Sequence, residues 1–194
     1  MKPMMRNHQI IAIERLLLDL KKMRLNILEW GSGGSTVYFT DFLDRNRIDY
    51  IWTSIEHNYE WYTKVFHSLK DKKNVSVYFF DLKDKEYEYI NFPLQLGNKF
   101  DFILVDGRKR KECLIKAKEL LDSDGIVMLH DAQRSRYHSA FKYYPDPRFI
   151  DRELWRGTLK NISIHARIGN KLNYFYFRFV NLINKMMDYA FAKK

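Results

Sequence analysis

Several short stretches of this sequence bring acidic, basic and glycine residues to points where strands would end. The first is Leu28-Glu29-Trp30 running into Gly31-Ser32-Gly33-Gly34-Ser35-Thr36. Glycine there permits a sharp reversal and a close approach of backbone to ligand, and a helix starting after it offers unpaired N–H groups. An acid just before the glycines suits an ammonium group. It would repel a pyrophosphate held at the helix N-terminus. The next stretch, Ser54-Ile55-Glu56-His57, sets a carboxylate where it can accept both hydroxyls of a ribose. A third, Phe80-Asp81-Leu82, offers Asp81 to an adenine amino group and Leu82 as a cover for the ring, although Asp81 also reads as an ordinary turn residue. Two more stretches, Val105-Asp106-Gly107-Arg108 and Met128-Leu129-His130-Asp131, supply groups able to move a proton.

The elements that must position these residues follow from periodicity. Ile10, Ile13, Leu16, Leu17 and Leu20 recur at helical spacing and predict an amphipathic helix over Gln9–Met23. Strands are predicted at Leu25–Trp30, Tyr50–Ile55, Val75–Phe80, Phe100–Val105 and Gly125–Leu129. Helices are predicted at Val37–Asp44, Tyr59–Leu69 and Lys111–Leu121. Such alternation argues for a mostly parallel sheet covered on both faces. Leu82–Lys99, with Pro93 and Gly97, reads as irregular, and Ala132–Pro147 as a long loop or short helix. Two aromatic and β-branched runs, Asn161–Ile168 and Leu172–Val180, flank Gly169-Asn170-Lys171 and predict a terminal hairpin, followed by a helix over Asn181–Phe191.

Composition bounds the function. A chain of 194 residues, 46% hydrophobic and 30% charged, is the size of one ordinary domain, and residues 1–194 are expected to form one. No apolar run approaches the roughly 20 residues that cross a bilayer, and no leader pattern opens the chain; the expectation is a cytoplasmic protein. The single cysteine, Cys113, cannot form an internal disulfide or anchor a thiolate metal site. From Ala132 onward there are 13 Lys/Arg against 4 Asp/Glu, so the last third carries a surplus of nine out of the net +10. Such a face favours an acidic partner: a uronic acid, a sugar nucleotide, a phosphorylated glycan or RNA. It reads equally as a solvated basic face or one lying against anionic membrane.

Taken together, Glu29–Thr36, Ser54–His57, Val105–Arg108, Leu120–Gly125 and Met128–Asp131 resemble the class I S-adenosylmethionine-dependent methyltransferases, over about Leu25 to Tyr137. The E-W-G-x-G-G-S-T and V-D-G-R combination is similar to that of small O-methyltransferases acting on sugars or polysaccharides. The resemblance implies a Rossmann-like three-layer α/β sandwich, its mostly parallel seven-stranded sheet closed by an antiparallel C-terminal hairpin strand. It implies S-adenosyl-L-methionine as cofactor and S-adenosyl-L-homocysteine as product, held by Glu29, Gly31, Ser32, Gly33, Ser35, Thr36, Glu56, His57, Asp81, Leu82 and Asp106.

In-line methyl transfer to a hydroxyl needs alignment and a base. Asp106 is the first candidate base, with His130 and Asp131 next; a neutral imidazole is better matched to pH 7, and Asp131 would then orient it. Arg108, Arg134 and Arg136 are candidates to grip an acceptor carboxylate or phosphate, with Tyr137, Tyr143, Tyr144 and Trp155 as a stacking wall. Each arginine also reads as a solvated surface residue. Catechol-type relatives hold magnesium with a strand-four Asp and an Asp-Asn pair. Asp106 and Asp131 match, but Ala132 stands in the Asn position, so metal-independent chemistry is expected. Two other readings stay open: an RNA or other nucleic-acid methyltransferase gripping phosphates with the basic third, and a non-catalytic binding module. The first lacks an N-P-P-Y tetrapeptide and a Cys beside Pro.

Overall fold

The computed structural model describes residues 1–160 and, beyond them, Leu172, Phe175, Tyr176, Phe179 and Ile183. Helix α1 (Asn7–Asp19) precedes a βα series: β1 (Leu25–Trp30), α2 (Gly34–Arg45), β2 (Tyr50–Glu56), α3 (Tyr59–Leu69), β3 (Val75–Phe79), α4 (Glu86–Gln95), β4 (Phe100–Val105), α5 (Arg110–Leu120) and β5 (Leu121–His130). A 3-10 segment (Ser135–Tyr143) and the short strands β6 (Arg148–Phe149) and β7 (Leu154–Thr158) follow. The sheet order is β3-β2-β1-β4-β5-β7-β6. β7 runs antiparallel to β5, pairing Leu129 with Trp155, whereas β1 is parallel to both β2 and β4. Strand order reverses between β1 and β4, and at such a switch point the loops leave in opposite directions and open a crevice at the strands' C-terminal ends.

Period-two alternation divides the core between the two faces. Leu28, Trp30, Ile103, Val105, Val127 and Leu129 pack on one side with Cys113, Leu114 and Ala117 of α5. Leu25, Ile27, Phe102, Leu104 and Met128 pack on the other with Ile10, Ile13 and Leu17 of α1 and Phe39 and Leu43 of α2. With its strands covered on both sides, the sheet fixes the height at which each strand ends, and so the level at which Glu29, Glu56, Asp106 and His130 stand.

Three expectations change. Leu82–Lys99 is not irregular: it contains α4, with Pro93 inside it. Proline has no N–H to donate to the carbonyl four residues back, Tyr89 O. That carbonyl instead accepts from Trp30 Nε1 at 2.9 Å, so the core supplies the missing donor. An antiparallel hairpin is formed by β6 and β7, ahead of the one predicted over Asn161–Ile168 and Leu172–Val180. Residues 161–171 lie outside the described residues. Leu172, Phe175, Tyr176 and Phe179 are helical and exposed, at the i, i+3, i+4, i+7 spacing of a helix face. The helix predicted over Asn181–Phe191 lies outside the described residues except for Ile183, which is helical. Finally, Tyr144 and Trp155 are core residues, 3% and 1% exposed. The Trp155 ring stacks on Phe141 at 4.3 Å, so neither belongs to a ligand wall.

Candidate active site

The β1 and β4 loops touch through two glycines. Gly31 has φ +98°, and a Cβ there would lie 2.5 Å from Gly107 Cα; a Cβ on Gly107 would collide with the Tyr89 hydroxyl. Gly31 N–H donates to Ile55 O (2.8 Å) and Asp106 N–H to Trp30 O (2.9 Å), which extends the ladder one residue past the strands.

Beside this contact lies a cleft lobe of about 280 Å³, lined by Gly31, Ser32, Gly33, Ser35, Glu56, His57, Trp61 and Asp106, with Lys2 and Met4 at its rim. Glu56, 3% exposed, turns Oε1 to the His57 and Asn58 N–H groups (2.8 and 2.7 Å). Its Oε2 has only a long contact with Ser32 Oγ, 3.4 Å. That oxygen retains acceptor capacity toward the cleft. His57 Nδ1 is 2.8 Å from Glu56 Oε1 but not aligned to bond it, and it is a buried nitrogen without a hydrogen-bond partner.

Glu29 does not line this lobe. Fully buried, its carboxylate accepts from Ser35 Oγ (2.5 Å), Thr36 Oγ1 (2.5 Å), Ser54 Oγ (2.7 Å) and Trp52 Nε1 (3.2 Å). Thr36 Oγ1 in turn accepts from Gly33 N–H at 2.9 Å. Glu29 and Thr36 are thus the internal tie that fastens the glycine turn to β1 and β2. Burial pushes the Glu29 carboxyl up to about 7, against the pull of the three hydroxyl donors. Asp81 accepts from Lys83 N–H (3.0 Å) in the turn after β3, and its neighbour Leu82, not Asp81 itself, lines the cleft.

A second lobe, of about 520 Å³, continues from the first past His57, Gly107 and Arg108. Its wall holds Arg108, Lys109, Arg110, Lys111, Arg134 and Arg136 against a single acid, Glu112. Tyr137 is 5% exposed, and its hydroxyl accepts from Arg136 Nη2 at 2.9 Å, so it props that arginine.

Asp106, on the wall of the smaller lobe, pairs through Oδ1 with His130 Nδ1 at 2.9 Å. The partner that orients the imidazole is therefore Asp106 on the neighbouring strand, not the adjacent Asp131. Burial opposes charge on His130, but the Asp106 hydrogen bond, with the charges of Asp106 and Asp131, outweighs it and holds the imidazole above its ordinary value. Asp131, at φ +57°, faces Arg110 Nη1 (3.0 Å) and Arg134 Nη2 (2.8 Å). Burial alone would raise its carboxyl, but Arg110, His130 and Arg134 hold it below the ordinary value. Among the described residues no three His, Cys, Asp or Glu side chains gather as metal ligands would.

Sequence reasoning missed Arg110, Lys109, Lys111, Trp61, Lys2 and Met4. The basic run Arg108-Lys109-Arg110-Lys111 was visible, but a run of cations does not disclose which one turns inward.

No family model matches the chain, and no curated protein matches its sequence. Solved structures do match in fold. A methyltransferase-like protein from Silicibacter pomeroyi superposes with a TM-score of 0.61 at 20% identity, over 87% of this chain and 94% of that one. A candidate caffeoyl-CoA O-methyltransferase from Staphylococcus aureus gives 0.58 at 20% identity, over 80% and 84%. A precorrin-6y C5,15-methyltransferase from Geobacter metallireducens gives 0.51 at 15% identity, over 74% and 71%. At these identities the likeness is one of fold: a Rossmann-like methyltransferase sheet, mostly parallel with antiparallel C-terminal strands.

Proposed function

We propose that this chain is an S-adenosylmethionine-dependent O-methyltransferase whose acceptor is a hydroxyl of an anionic sugar, glycan or nucleotide-sugar. The observation that carries the reading is the Asp106–His130 pair, whose Asp106 lines the smaller lobe. The residues present fit the cofactor: a glycine turn open to the cleft at Gly33, and a buried Glu56 with one oxygen still able to accept. Gly31, Ser32, Gly33 and Ser35 would hold the amino-acid end, Glu56 the ribose, and His57 and Leu82 the base. Bound there, the cofactor supplies an electrophilic methyl group on a sulfonium.

The chain's own residues do the rest. Arg108, Lys111 and Arg136 draw the acceptor's negative charge into the larger lobe, which orients the hydroxyl toward the junction. His130 takes the hydroxyl proton on Nε2. Asp106 holds Nδ1–H and stabilises the imidazolium that forms. Because Asp106 raises the imidazole's proton affinity, the basic form is reached above the ordinary value of 6.5. Transfer should therefore rise with pH through the neutral range.

Calorimetric titration with S-adenosylmethionine and S-adenosylhomocysteine, on wild type and Glu56→Ala, tests the reading. Binding by wild type that the variant loses supports it, and justifies a screen of uronate and phosphosugar acceptors. No binding by wild type sinks it and leaves the non-catalytic module. The six cations of the larger lobe favour one second reading, phosphate gripping on RNA. It predicts retention on RNA with a steep dependence on salt.

A further inference from the structure

We infer that Arg110 is the positioning residue of the transfer site, an internal cation that locks the Asp106–His130 pair and occupies the place between Asp106 and Asp131 that a divalent metal would need. The inference rests on the proposed methyl transfer but adds a residue and a property which that reading does not contain.

Arg110 opens α5 one turn past Asp106, and its side chain is only 12% exposed. Nε donates to Gly107 O at 2.8 Å. Nη1 donates to His130 O at 2.6 Å and to Asp131 Oδ2 at 3.0 Å. Nη2 donates to Asp106 O at 2.8 Å and meets Asp106 Oδ1 at 3.1 Å. A guanidinium carries five N–H donors in one plane, and here five acceptors meet it. This separates Arg110 from Arg108 and Lys111 on the same wall: its donors are spent on the protein, so it builds the site and does not grip the acceptor.

The acceptors come from two strand ends. Asp106 and Gly107 follow β4, and His130 and Asp131 end and follow β5, so one side chain fixes the spacing of the two halves of the dyad. Asp106 Oδ1 is shared between Arg110 and His130, so the guanidinium selects the carboxylate rotamer that reaches the imidazole. The two carboxylates meet separate nitrogens of one cation. A magnesium ion would require oxygen ligands about 2.1 Å away in an octahedron, and the volume for it is filled by the guanidinium plane. The charged groups facing His130 are then Asp106 from the β4 end, Asp131 from its own strand end and Arg110 from α5, while β7 presents the apolar Leu154.

The experiment compares wild type with Arg110→Gln and Arg110→Lys. In steady-state assays with the acceptor found by screening, Arg110→Gln should lose about a hundredfold or more in kcat with little change in the cofactor's KM. Lysine should not rescue it, because an ammonium cannot span two carboxylates in a fork. Magnesium chloride should leave wild type unchanged and stabilise Arg110→Gln against heat, since removal of the cation leaves two carboxylates facing a gap. A readout independent of turnover is the His130 titration followed by NMR in a double-mutant cycle with Asp106→Asn. The downward displacement caused by Asp106→Asn should shrink to less than half in the Arg110→Gln background. An equal displacement in both backgrounds overturns the positioning role, even if no methyl transfer is ever found. Wild-type activity abolished by EDTA and restored by magnesium overturns the internal-cation role while leaving methyl transfer intact. Should Arg110→Gln not fold, the same cycle in Arg110→Lys decides.

Discussion

The two lobes of the cleft are built by opposite means. Around the glycine turn, polar groups are largely spent on one another: Glu29 is closed by four donors, Thr36 links it to Gly33, and Glu56 is half closed by backbone N–H groups. The result is a turn wall of backbone and short side chains with little freedom to lose on binding, and His57, Trp61, Lys2 and Met4 complete the lobe. The larger lobe is walled by long cations from the start of α5 and from the 3-10 segment region, and Arg108, Arg134 and Arg136 have no strand to fix them. A rigid lobe suits a ligand that never changes. A lobe walled by long cations suits a partner selected by charge and reach. Asp106 and Arg110 stand at the seam, with His130 bonded to Asp106, held by the sheet like the first lobe and charged like the second.

Substitutions can break this contrast at graded cost. His130→Ala should lower kcat by about 10²–10⁴, the usual worth of a positioned base, with cofactor affinity retained in calorimetry. Loss of both together would mean that the seam belongs to the cofactor lobe. Gly31→Ala combines a left-handed backbone with a Cβ 2.5 Å from Gly107. It should cost about 3 kcal/mol or more of stability in urea unfolding and abolish cofactor binding.

Glu29 sharpens the comparison through pH. Its carboxyl titrates near 7 in the fold against 4.5 ordinarily, so between those values the folded chain holds more proton than the unfolded one. Stability is therefore greatest below about 4.5 as far as this group is concerned and falls by about 3 kcal/mol as pH rises to 7, at 1.36 kcal/mol per pKa unit. Glu29→Gln should flatten that slope in pH-dependent unfolding; an unchanged slope would mean that Glu29 is not the proton-linked group. The smallest effect is expected in the larger lobe. Arg108→Ala should raise the acceptor's KM about tenfold, more at low salt than at high, with the cofactor's dissociation constant unchanged. A change in the cofactor's constant instead would make the two lobes one site.

What was legible in the sequence has local causes. Strands Leu25–Trp30 and Phe100–Val105 and helix Tyr59–Leu69 were read at their observed bounds, because apolar periodicity and flanking turn residues act within one element. The glycine turn and the acids at the strand ends were legible for the same reason: each follows its strand directly. The roles of those residues were not, since they depend on groups far off in the chain. Glu29 looked like a ligand group until Ser54 and Trp52 of β2 closed on it. His130 had Asp131 beside it in sequence, yet its partner is Asp106 across the β4–β5 pair, chosen by register. Pro93 looked like a helix breaker until Trp30 satisfied the carbonyl it leaves unbonded. β7 carries Arg156 and Gly157 in five residues and has almost no strand signal; it is a strand because β5 has an open edge beside it. Periodicity and turn chemistry are properties of neighbours in the chain, and they are written there. Which carboxylate meets which imidazole, and which of four consecutive cations turns inward, follow from strand order and packing, which exist only once the sheet has formed.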